Sequence, residues 1–160
     1  MTTKKVKKIS ESAVIMRELV MPQHTNPHNT IFGGVVMSWI DVAAAMVAQN
    51  HAQRQVVTVH IDNIFFMNPI KVGHQVIIKA SVNYVGTSSM VIGVKVEAQD
   101  PITGFVRQTT KAYLTFVALD ELGHPTTVPQ ISLSSAEEKR RFQNAKKRLE
   151  AAKKLRKKLL

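Results

Sequence analysis

The stretch VVMSWIDVAAAMVA (35–48) decides the fold, because it reads as a helix that is apolar on nearly every side. Its only polar side chains are those of Ser38 and Asp41, and a glycine pair, Gly33 and Gly34, stands where such a helix would begin. A helix without a polar face is normally buried all round, and a charged carboxylate buried there without a partner is costly. We therefore predict that Asp41 is paired, neutralised or used in chemistry, and that this helix carries an active site.

The segments on either side of this helix read as strands. Residues 9–20 have strand-like content, and the turn-rich segment QHTNPHNT (23–30) separates them from the helix. After the helix come four strand-like runs, at 55–66, 75–85, 89–99 and 105–119. Their alternation of apolar residues with a period of two is typical of antiparallel strands with one covered face. We predict one α+β domain, in which a five-stranded antiparallel sheet wraps a long central helix.

The charge of the chain is concentrated at its two ends. The 160 residues carry a net charge of +11, but four lysines precede residue 9, and eleven lysines and arginines follow residue 135. The residues between are nearly neutral, so we divide the chain into a basic N-terminal arm (1–8), a folded domain (9–130) and a basic C-terminal helical tail (131–160). The chain has no cysteine, which excludes disulfides and cysteine nucleophiles. It also lacks a secretory leader or an apolar stretch of about 20 residues, so we expect a cytoplasmic protein.

The C-terminal tail has the pattern of an amphipathic helix. Ser134 and Ser135 precede Glu137 and Glu138 at the spacing of a capping box. A narrow apolar stripe follows at spacings of three and four, formed by Phe142, Ala145, Leu149, Ala152, Leu155 and Leu159. We expect a helix that is either solvated or docked on the protein's own oligomer through this stripe. The alternative is contact of the basic face with nucleic acid or an anionic membrane.

The segment HTNPHNTIFGGVVMSWID (24–41) resembles the hotdog-fold acyl-CoA thioesterases, in the acyl-CoA hydrolase branch of YciA-like enzymes. The similarity extends over roughly residues 12–120. Its matching residues are Asn26, Ile31 to Gly34, Met37, Ile40, Asp41, Val57, Thr58, Phe66, Pro69, Gly73 and Val85 to Ser89. The family usually has glycine near Asn29, and asparagine is the next-best residue for a positive φ. Pro27 and His28 depart from the family pattern.

The resemblance implies hydrolysis of acyl-CoA thioesters to free CoA and a carboxylic acid. Backbone N–H groups of Gly33 or Gly34 would hold the developing oxyanion at the helix N-terminus. Asp41 would act as a general base on water or as a nucleophile that forms a mixed anhydride. Asn26 would orient the water or the carbonyl. For CoA itself, the resemblance implies a phosphate-binding turn and a tunnel-lining threonine, which correspond to Gly86, Thr87, Ser88, Ser89 and Thr58.

The spacing of these residues indicates more than one subunit. On a helix, Gly34 and Asp41 share a face but lie about 10 Å apart along the axis, so one thioester carbonyl cannot touch both. One curved sheet also cannot enclose an all-apolar helix. We therefore expect a dimer at least. The resemblance adds that Asn26 and Asp41 come from opposite subunits, and that a trimer of dimers forms.

No cofactor is expected, because CoA is part of the substrate. His24 and His28 flank Asn26, but the sequence offers no third ligand at a suitable spacing, so we expect no metal site. A hotdog hydratase would need a histidine on the central helix, and none lies within 35–48. The remaining alternative is a non-catalytic acyl-CoA-binding sensor or a nucleic-acid-associated protein that uses the basic arms.

Overall fold

The computed structural model describes residues 5–160, so Lys4 of the basic N-terminal arm lies outside the described residues. Within these residues, two long helices and eight strands follow one another. In chain order they are β1 (Val6–Lys8), β2 (Val14–Leu19), α1 (Gly33–Ala52), β3 (Gln55–Ile61), β4 (Phe65–Phe66), β5 (Gln75–Val85), β6 (Ser89–Gln99), β7 (Val106–Leu119), β8 (Gln130–Ser132) and α2 (Ala136–Leu159).

The main sheet has the strand order β2-β5-β6-β7-β3, and all of its neighbours are antiparallel. The predicted five-stranded antiparallel sheet around a long helix is therefore confirmed. Strands β5 and β6 begin and end where the alternation of apolar residues predicts them. The run 55–66 instead divides into β3 and the short β4, which both pair with β7. The chain turns between them at Asp62, whose N–H donates to the carbonyl of Tyr113 at 2.9 Å.

Helix α1 lies on the inner face of the sheet and supplies much of the core. Its buried residues include Ile40, Val47 and four alanines, and they pack with buried residues of β5, β6 and β7, among them Ile78, Met90, Ile92, Leu114 and Phe116. The alanines let the helix approach the sheet closely. One protomer does not cover α1 on all sides, because Met37 and Val42 remain 41% and 50% exposed.

The described part of the basic N-terminal arm packs against the end of α1. Strand β1 pairs in parallel with β8, and the Lys7 side chain between them is buried. Its Nζ donates to the carbonyls of Asn50 (3.2 Å) and His51 (2.8 Å) in the last turn of α1. A cation is favourable there, because the helix dipole makes this end negative. Burial lowers the pKa of Lys7, and it also lowers the pKa of His51, whose Nε2 lies 2.7 Å from the carbonyl of Pro129.

Helix α2 begins at the predicted capping box. Ser135 Oγ accepts a hydrogen bond from the Glu138 N–H at 3.1 Å, and the Ser135 N–H donates to the Glu138 carboxylate at 3.3 Å. The first half of the apolar stripe contacts the outer face of the chain's own sheet. There Phe142 packs on Tyr84 with ring centroids 4.9 Å apart, and Ala145 is buried.

The second half of α2 extends beyond these contacts. Arg148 lies 4.0 Å above the Tyr113 ring and forms a 2.9 Å ion pair with Asp62, while Leu155 and Leu159 are exposed. Docking of the stripe on other subunits stays a prediction. No helix within residues 5–160 is long and apolar enough to cross a membrane, and the cytoplasmic location also stays a prediction.

Candidate active site

The N-terminus of α1 presents backbone N–H groups that the helix itself does not use. Gly33 and Gly34 are its first two residues, and Phe32 before them has extended backbone angles (φ −68°, ψ 129°) with no side-chain cap. The first N–H groups of a helix have no intrahelical acceptor and lie at the positive end of its dipole. A Cβ on Gly34 would lie 2.5 Å from the Phe32 ring. Glycine thus keeps this helix end open to an anionic oxygen.

A cavity adjoins this helix end. It has a volume of about 290 Å³, and Gly33, Ile31 and Phe66 are among its lining residues. The segment from Phe66 to Ile70 forms the opposite wall. The N-terminus of α1 therefore borders a space that a small group can enter.

Asp41 lies two turns further along α1 and is hydrogen-bonded to the edge strand. Its Oδ1 accepts a hydrogen bond from Thr58 Oγ1 at 2.9 Å. Thr58 belongs to β3, which lies alongside α1, and both side chains are in part accessible to solvent. The structure therefore brings together one predicted catalytic residue and one predicted CoA-binding residue. No other side-chain hydrogen bond to Asp41 occurs among the described residues, which leaves Oδ2 available.

Asn26 organises the loop that precedes α1. Its Oδ1 accepts from the N–H groups of His28 (2.9 Å) and Thr30 (3.3 Å), and its Nδ2 donates to Thr30 Oγ1 at 3.0 Å. Asn29 has a φ of +58°, as the sequence predicts. Within the described protomer, no hydrogen bond joins Asn26 to Asp41. The predicted asparagine and aspartate are thus not brought into direct contact within one chain.

His24 has a structural role that no local pattern predicts. Its ring packs edge-on against Trp39 of α1, with centroids 5.2 Å apart. Its Nδ1 accepts from the Met21 N–H at 3.0 Å, and its carbonyl accepts from the Phe32 N–H at 2.8 Å. These contacts fix the Asn26 loop against the helix whose N-terminus it precedes.

The predicted phosphate-binding turn, Gly86 to Ser89, joins β5 to β6. Strand β7 and the segment that follows it hold this turn in place, since the carbonyls of Thr87 and Ser88 accept from the N–H groups of Val128 and Ala118, both at 3.0 Å. In the register of the sheet, Ser89 of β6 is directly opposite Val117 of β7, and Val117 is directly opposite Val57 of β3. Neighbouring strands lie about 4.8 Å apart, so the turn is roughly 10 Å from the Thr58 edge and at the same end of the sheet.

Exposed apolar side chains occur on the elements that carry or adjoin Asp41 and Thr58. They belong to the Asn26 loop, α1, β3 and the segment from β4 to Met67, namely Phe32, Met37, Val42, Val59, Ile61, Phe66 and Met67. Within residues 5–160, β7 is the only strand that pairs with β3, so the other edge of β3 is free. Exposed apolar side chains beside a free strand edge are typical of a subunit interface.

Comparison with known proteins gives consistent matches. The family model described as "Thioesterase superfamily" matches residues 28–105. The curated protein "Uncharacterized acyl-CoA thioester hydrolase YkhA" of Bacillus subtilis is 40% identical over 138 residues, which cover 86% of this chain and 80% of that protein. An acyl-CoA hydrolase from Staphylococcus aureus, solved with butyryl coenzyme A, coenzyme A and coenzyme A disulfide, is 40% identical with a TM-score of 0.89. That match covers 96% of this chain and 93% of the solved chain.

Two further findings concern assembly and residue spacing. A hexameric acyl-CoA thioesterase solved in the apo form is 38% identical with a TM-score of 0.92, and the match covers 98% of this chain and 99% of that chain. The Staphylococcus aureus hydrolase was also solved as variants in which an asparagine, an aspartate or a threonine is replaced by alanine. These three positions lie 15 and 17 residues apart, as Asn26, Asp41 and Thr58 do here.

Proposed function

The chain belongs to the thioesterase superfamily, among relatives named acyl-CoA thioester hydrolases, and from this premise we propose that it hydrolyses acyl-CoA thioesters to free CoA and a carboxylic acid. The observation that carries the proposal is the 2.9 Å hydrogen bond between Thr58 Oγ1 and Asp41 Oδ1. It gives a carboxylate a fixed orientation and leaves one oxygen for chemistry. The matching spacing of the asparagine, aspartate and threonine replaced in the Staphylococcus aureus hydrolase supports the same assignment.

The thioester carbonyl binds at the N-terminus of α1 in this mechanism. The N–H groups of Gly33 and Gly34 donate to its oxygen and stabilise the negative charge that develops as the carbon becomes tetrahedral. The apolar neighbours Phe32 and Phe66 are exposed in one protomer, and once a second subunit covers them they would exclude water, which strengthens these hydrogen bonds. The adjoining cavity of about 290 Å³ would receive part of the substrate.

Asp41 drives the attack on this carbonyl. As a general base it takes a proton from water, the hydroxide oxygen bonds to the carbonyl carbon, and the C–S bond breaks as CoA leaves and takes up a proton. As a nucleophile its own Oδ2 bonds to the carbonyl carbon, the C–S bond breaks as the CoA thiolate leaves and takes up a proton, and water then hydrolyses the mixed anhydride to the carboxylic acid and free Asp41. Thr58 donates to Oδ1 in both routes and so orients the carboxylate.

An isotope experiment separates the two routes. Under single-turnover conditions in ¹⁸O-labelled water, a general base delivers labelled oxygen to the fatty acid in the first turnover. A nucleophilic Asp41 whose mixed anhydride is attacked by water at the aspartyl carbonyl releases unlabelled acid first, and the label enters Asp41 itself. Attack at the acyl carbonyl would instead label the acid, so the nucleophilic route is then detected by trapping the anhydride with hydroxylamine. Mass spectrometry of the product acid and of the Asp41 peptide reads both outcomes.

The site requires two subunits. Gly34 and Asp41 are about 10 Å apart along one helix, so the helix N-terminus of one protomer must meet Asp41 of its partner. The exposed apolar side chains and the free edge of β3 form the faces that join. Asn26, which lies next to the N-terminus of α1, then reaches the partner's Asp41. We extend the proposal to a trimer of dimers, which the hexameric relative supports and light scattering of the purified protein would test.

The CoA part of the substrate would run from this interface toward the turn at Gly86 to Ser89. Backbone N–H groups and hydroxyls of Thr87, Ser88 and Ser89 are suitable donors to phosphate oxygens. The distance of roughly 10 Å from Thr58 leaves room for the pantetheine arm between the thioester and the nucleotide. Thr87→Ala with Ser88→Ala is expected to raise KM more than it lowers kcat, because these donors bind the substrate far from the reacting bond.

The primary test is thiol release from short, medium and long acyl-CoAs. Asp41→Asn is expected to reduce hydrolysis by about a hundredfold or more, the order lost with a general base, while the variant stays folded and oligomeric. Asp100→Asn serves as the matched control, since it removes a carboxylate from an exposed turn elsewhere. An Asp41→Asn variant with full activity would contradict the role of Asp41. A wild type that binds acyl-CoA without releasing thiol would support the non-catalytic sensor instead.

A further inference from the structure

Three lysines form a row across the outer face of the sheet. Lys79 of β5 is directly opposite Lys95 of β6, and Lys95 is directly opposite Lys111 of β7. Their neighbours Ala80, Val94 and Ala112 are buried in the core on the α1 side, so the lysines point to the opposite face. Like charges directly opposite each other in a sheet are destabilising. An anion bound beside all three lysines would reduce the repulsion between them.

The first turns of α2 convert this row into a groove. Arg140 and Arg141 of the helix face the lysines across a cavity of about 490 Å³. All five cations line this cavity, and no residue of α1 does. The side chains of Lys79, Lys95, Arg140 and Arg141 are each about half exposed, so a ligand from solvent can reach them.

The carboxylates near the groove do not balance these five charges. Glu97 lies 2.7 Å from Lys79 and 3.7 Å from Lys95, and the hydrogen bond from Lys79 lowers its pKa. Glu137 pairs with both Arg140 and Arg141. Lys111 has no carboxylate within 4.0 Å among the described residues. Two carboxylates against five cations leave the groove with a net charge of +3.

An amide also lines the groove. The Asn83 side chain borders the cavity, and among the described residues it makes no hydrogen bond. Although Asn83 as a residue is only 5% exposed, its amide atoms are not sealed from the cavity. Gly93 contacts this amide, and a Cβ at Gly93 would overlap it. Asn83 therefore offers an accessible hydrogen-bond donor to a ligand in the groove.

We propose that this groove binds a small soluble anion that carries two or more phosphate groups, at a site separate from the hydrolytic centre. The sheet lies between the groove and α1, so the ligand cannot share the Asp41 site of the same chain. The concave shape favours a small ligand over a nucleic acid duplex, because α2 covers one side of the lysine row. The proposal goes beyond thioester hydrolysis and assigns a second ligand to the protein.

The test uses tripolyphosphate as the probe and isothermal titration calorimetry on the full-length protein. Wild type is expected to bind tripolyphosphate much more tightly than orthophosphate, which spans fewer cations. Lys95→Gln and Lys111→Gln are each expected to weaken binding by about tenfold, the effect of one lost charged hydrogen bond. Lys146→Gln is the matched control, since Lys146 is an exposed lysine of α2 outside the groove.

Thermal unfolding gives a second readout. Without added anion, Lys95→Gln is expected to raise Tm because it relieves the repulsion in the row, and tripolyphosphate is expected to raise the Tm of wild type but not of the Lys95→Gln, Lys111→Gln double variant. A purely structural row would leave the response to tripolyphosphate unchanged by these substitutions. That result would overturn the proposal.

Two further outcomes would also overturn it. An equal loss of affinity in Lys146→Gln and Lys111→Gln would show diffuse adsorption to a basic surface. A KM for acyl-CoA that rises in parallel with the loss of tripolyphosphate binding would show that the groove serves the substrate. Asp41→Asn keeps this test independent of the proposed hydrolysis, because it is expected to bind tripolyphosphate as wild type does.

Discussion

The two long helices pack on opposite faces of the same sheet, yet they contribute very differently to the protein. Helix α1 has eight buried residues and forms the centre of the core, whereas only Ala145 of α2 is buried. The inner helix therefore holds the domain together and can place a carboxylate with precision. The outer helix contacts the sheet through only a few side chains, and the space between this helix and the sheet forms a cationic groove. Length and helical pattern alone do not reveal which role a helix has.

The strongest test of this difference compares one substitution on each helix. Ile40→Ala leaves a cavity beneath α1 and is expected to lower the free energy of unfolding by about 2–5 kcal/mol. Leu155→Ala on α2 should change it by less than about 0.5 kcal/mol, because that side chain is exposed. Urea unfolding at one fixed protomer concentration measures both. Similar losses would mean that the end of α2 is buried in the assembled protein.

A substitution in the sheet beneath the groove should change the free energy of unfolding by an intermediate amount. Gly93→Ala places a methyl group against the Asn83 amide, and this overpacking is expected to cost about 1–3 kcal/mol. Ser81→Ala is the control, because Ser81 is directly opposite Gly93 in the neighbouring strand. Equal melting temperatures for the two variants would show that the Asn83 side chain moves aside without cost.

The contacts of Arg148, which hold α2 against the sheet, should contribute less to the free energy of unfolding. Arg148→Ala removes the cation–π contact with Tyr113 and the ion pair with Asp62, at an expected cost of about 1 kcal/mol. Arg156→Ala removes an exposed cation from the last turn of the same helix and should have almost no effect. Because the ion pair is half exposed, high salt should narrow the difference between the two variants. A difference that persists in full at high salt would assign the effect to packing on Tyr113.

The smallest expected change in stability at neutral pH comes from His51 at the end of α1. Burial lowers the pKa of His51 below its ordinary value of 6.5, so below that pH the unfolded chain binds more protons than the folded one. Stability is therefore expected to rise with pH in this range and to fall as the pH drops below about 6.5. His51→Gln should lose part of this dependence, while His124→Gln, at an exposed loop residue, should keep it. Identical slopes of Tm against pH in all three proteins would contradict the role of His51.

The elements of the fold are predictable because their signals are local. The alternation in 75–85 and 89–99 sets the limits of β5 and β6, and the spacing of Ser135 and Glu138 predicts the start of α2. The contacts between elements are not local. Nothing near Lys7 in the sequence indicates that it reaches the last carbonyls of α1. The row of Lys79, Lys95 and Lys111 becomes visible only when the register of three strands is known.

The candidate site follows the same rule. Asp41 is conspicuous because its own helix is apolar, and the glycine pair is conspicuous because it stands at the helix start. Thr58 carries no such signal, since a threonine in a strand is ordinary, and family resemblance pointed to it as a CoA-binding residue. Its hydrogen bond to Asp41 depends on how β3 lies beside α1. The catalytic roles of Asn26, Gly33, Gly34 and Asp41 stay predictions that the kinetic variants would test.

The free edge of β3 also has a consequence for the newly made chain. Val57, Val59 and Ile61 are exposed along a strand whose outer edge is open within the described chain. Such an edge is a template for aggregation until it is covered, and a slip of one residue would turn every side chain to the wrong face. During folding, correct pairing of this edge with another subunit therefore competes with aggregation. Rapid assembly of the homo-oligomer would then protect the chain during biosynthesis, before any substrate is bound.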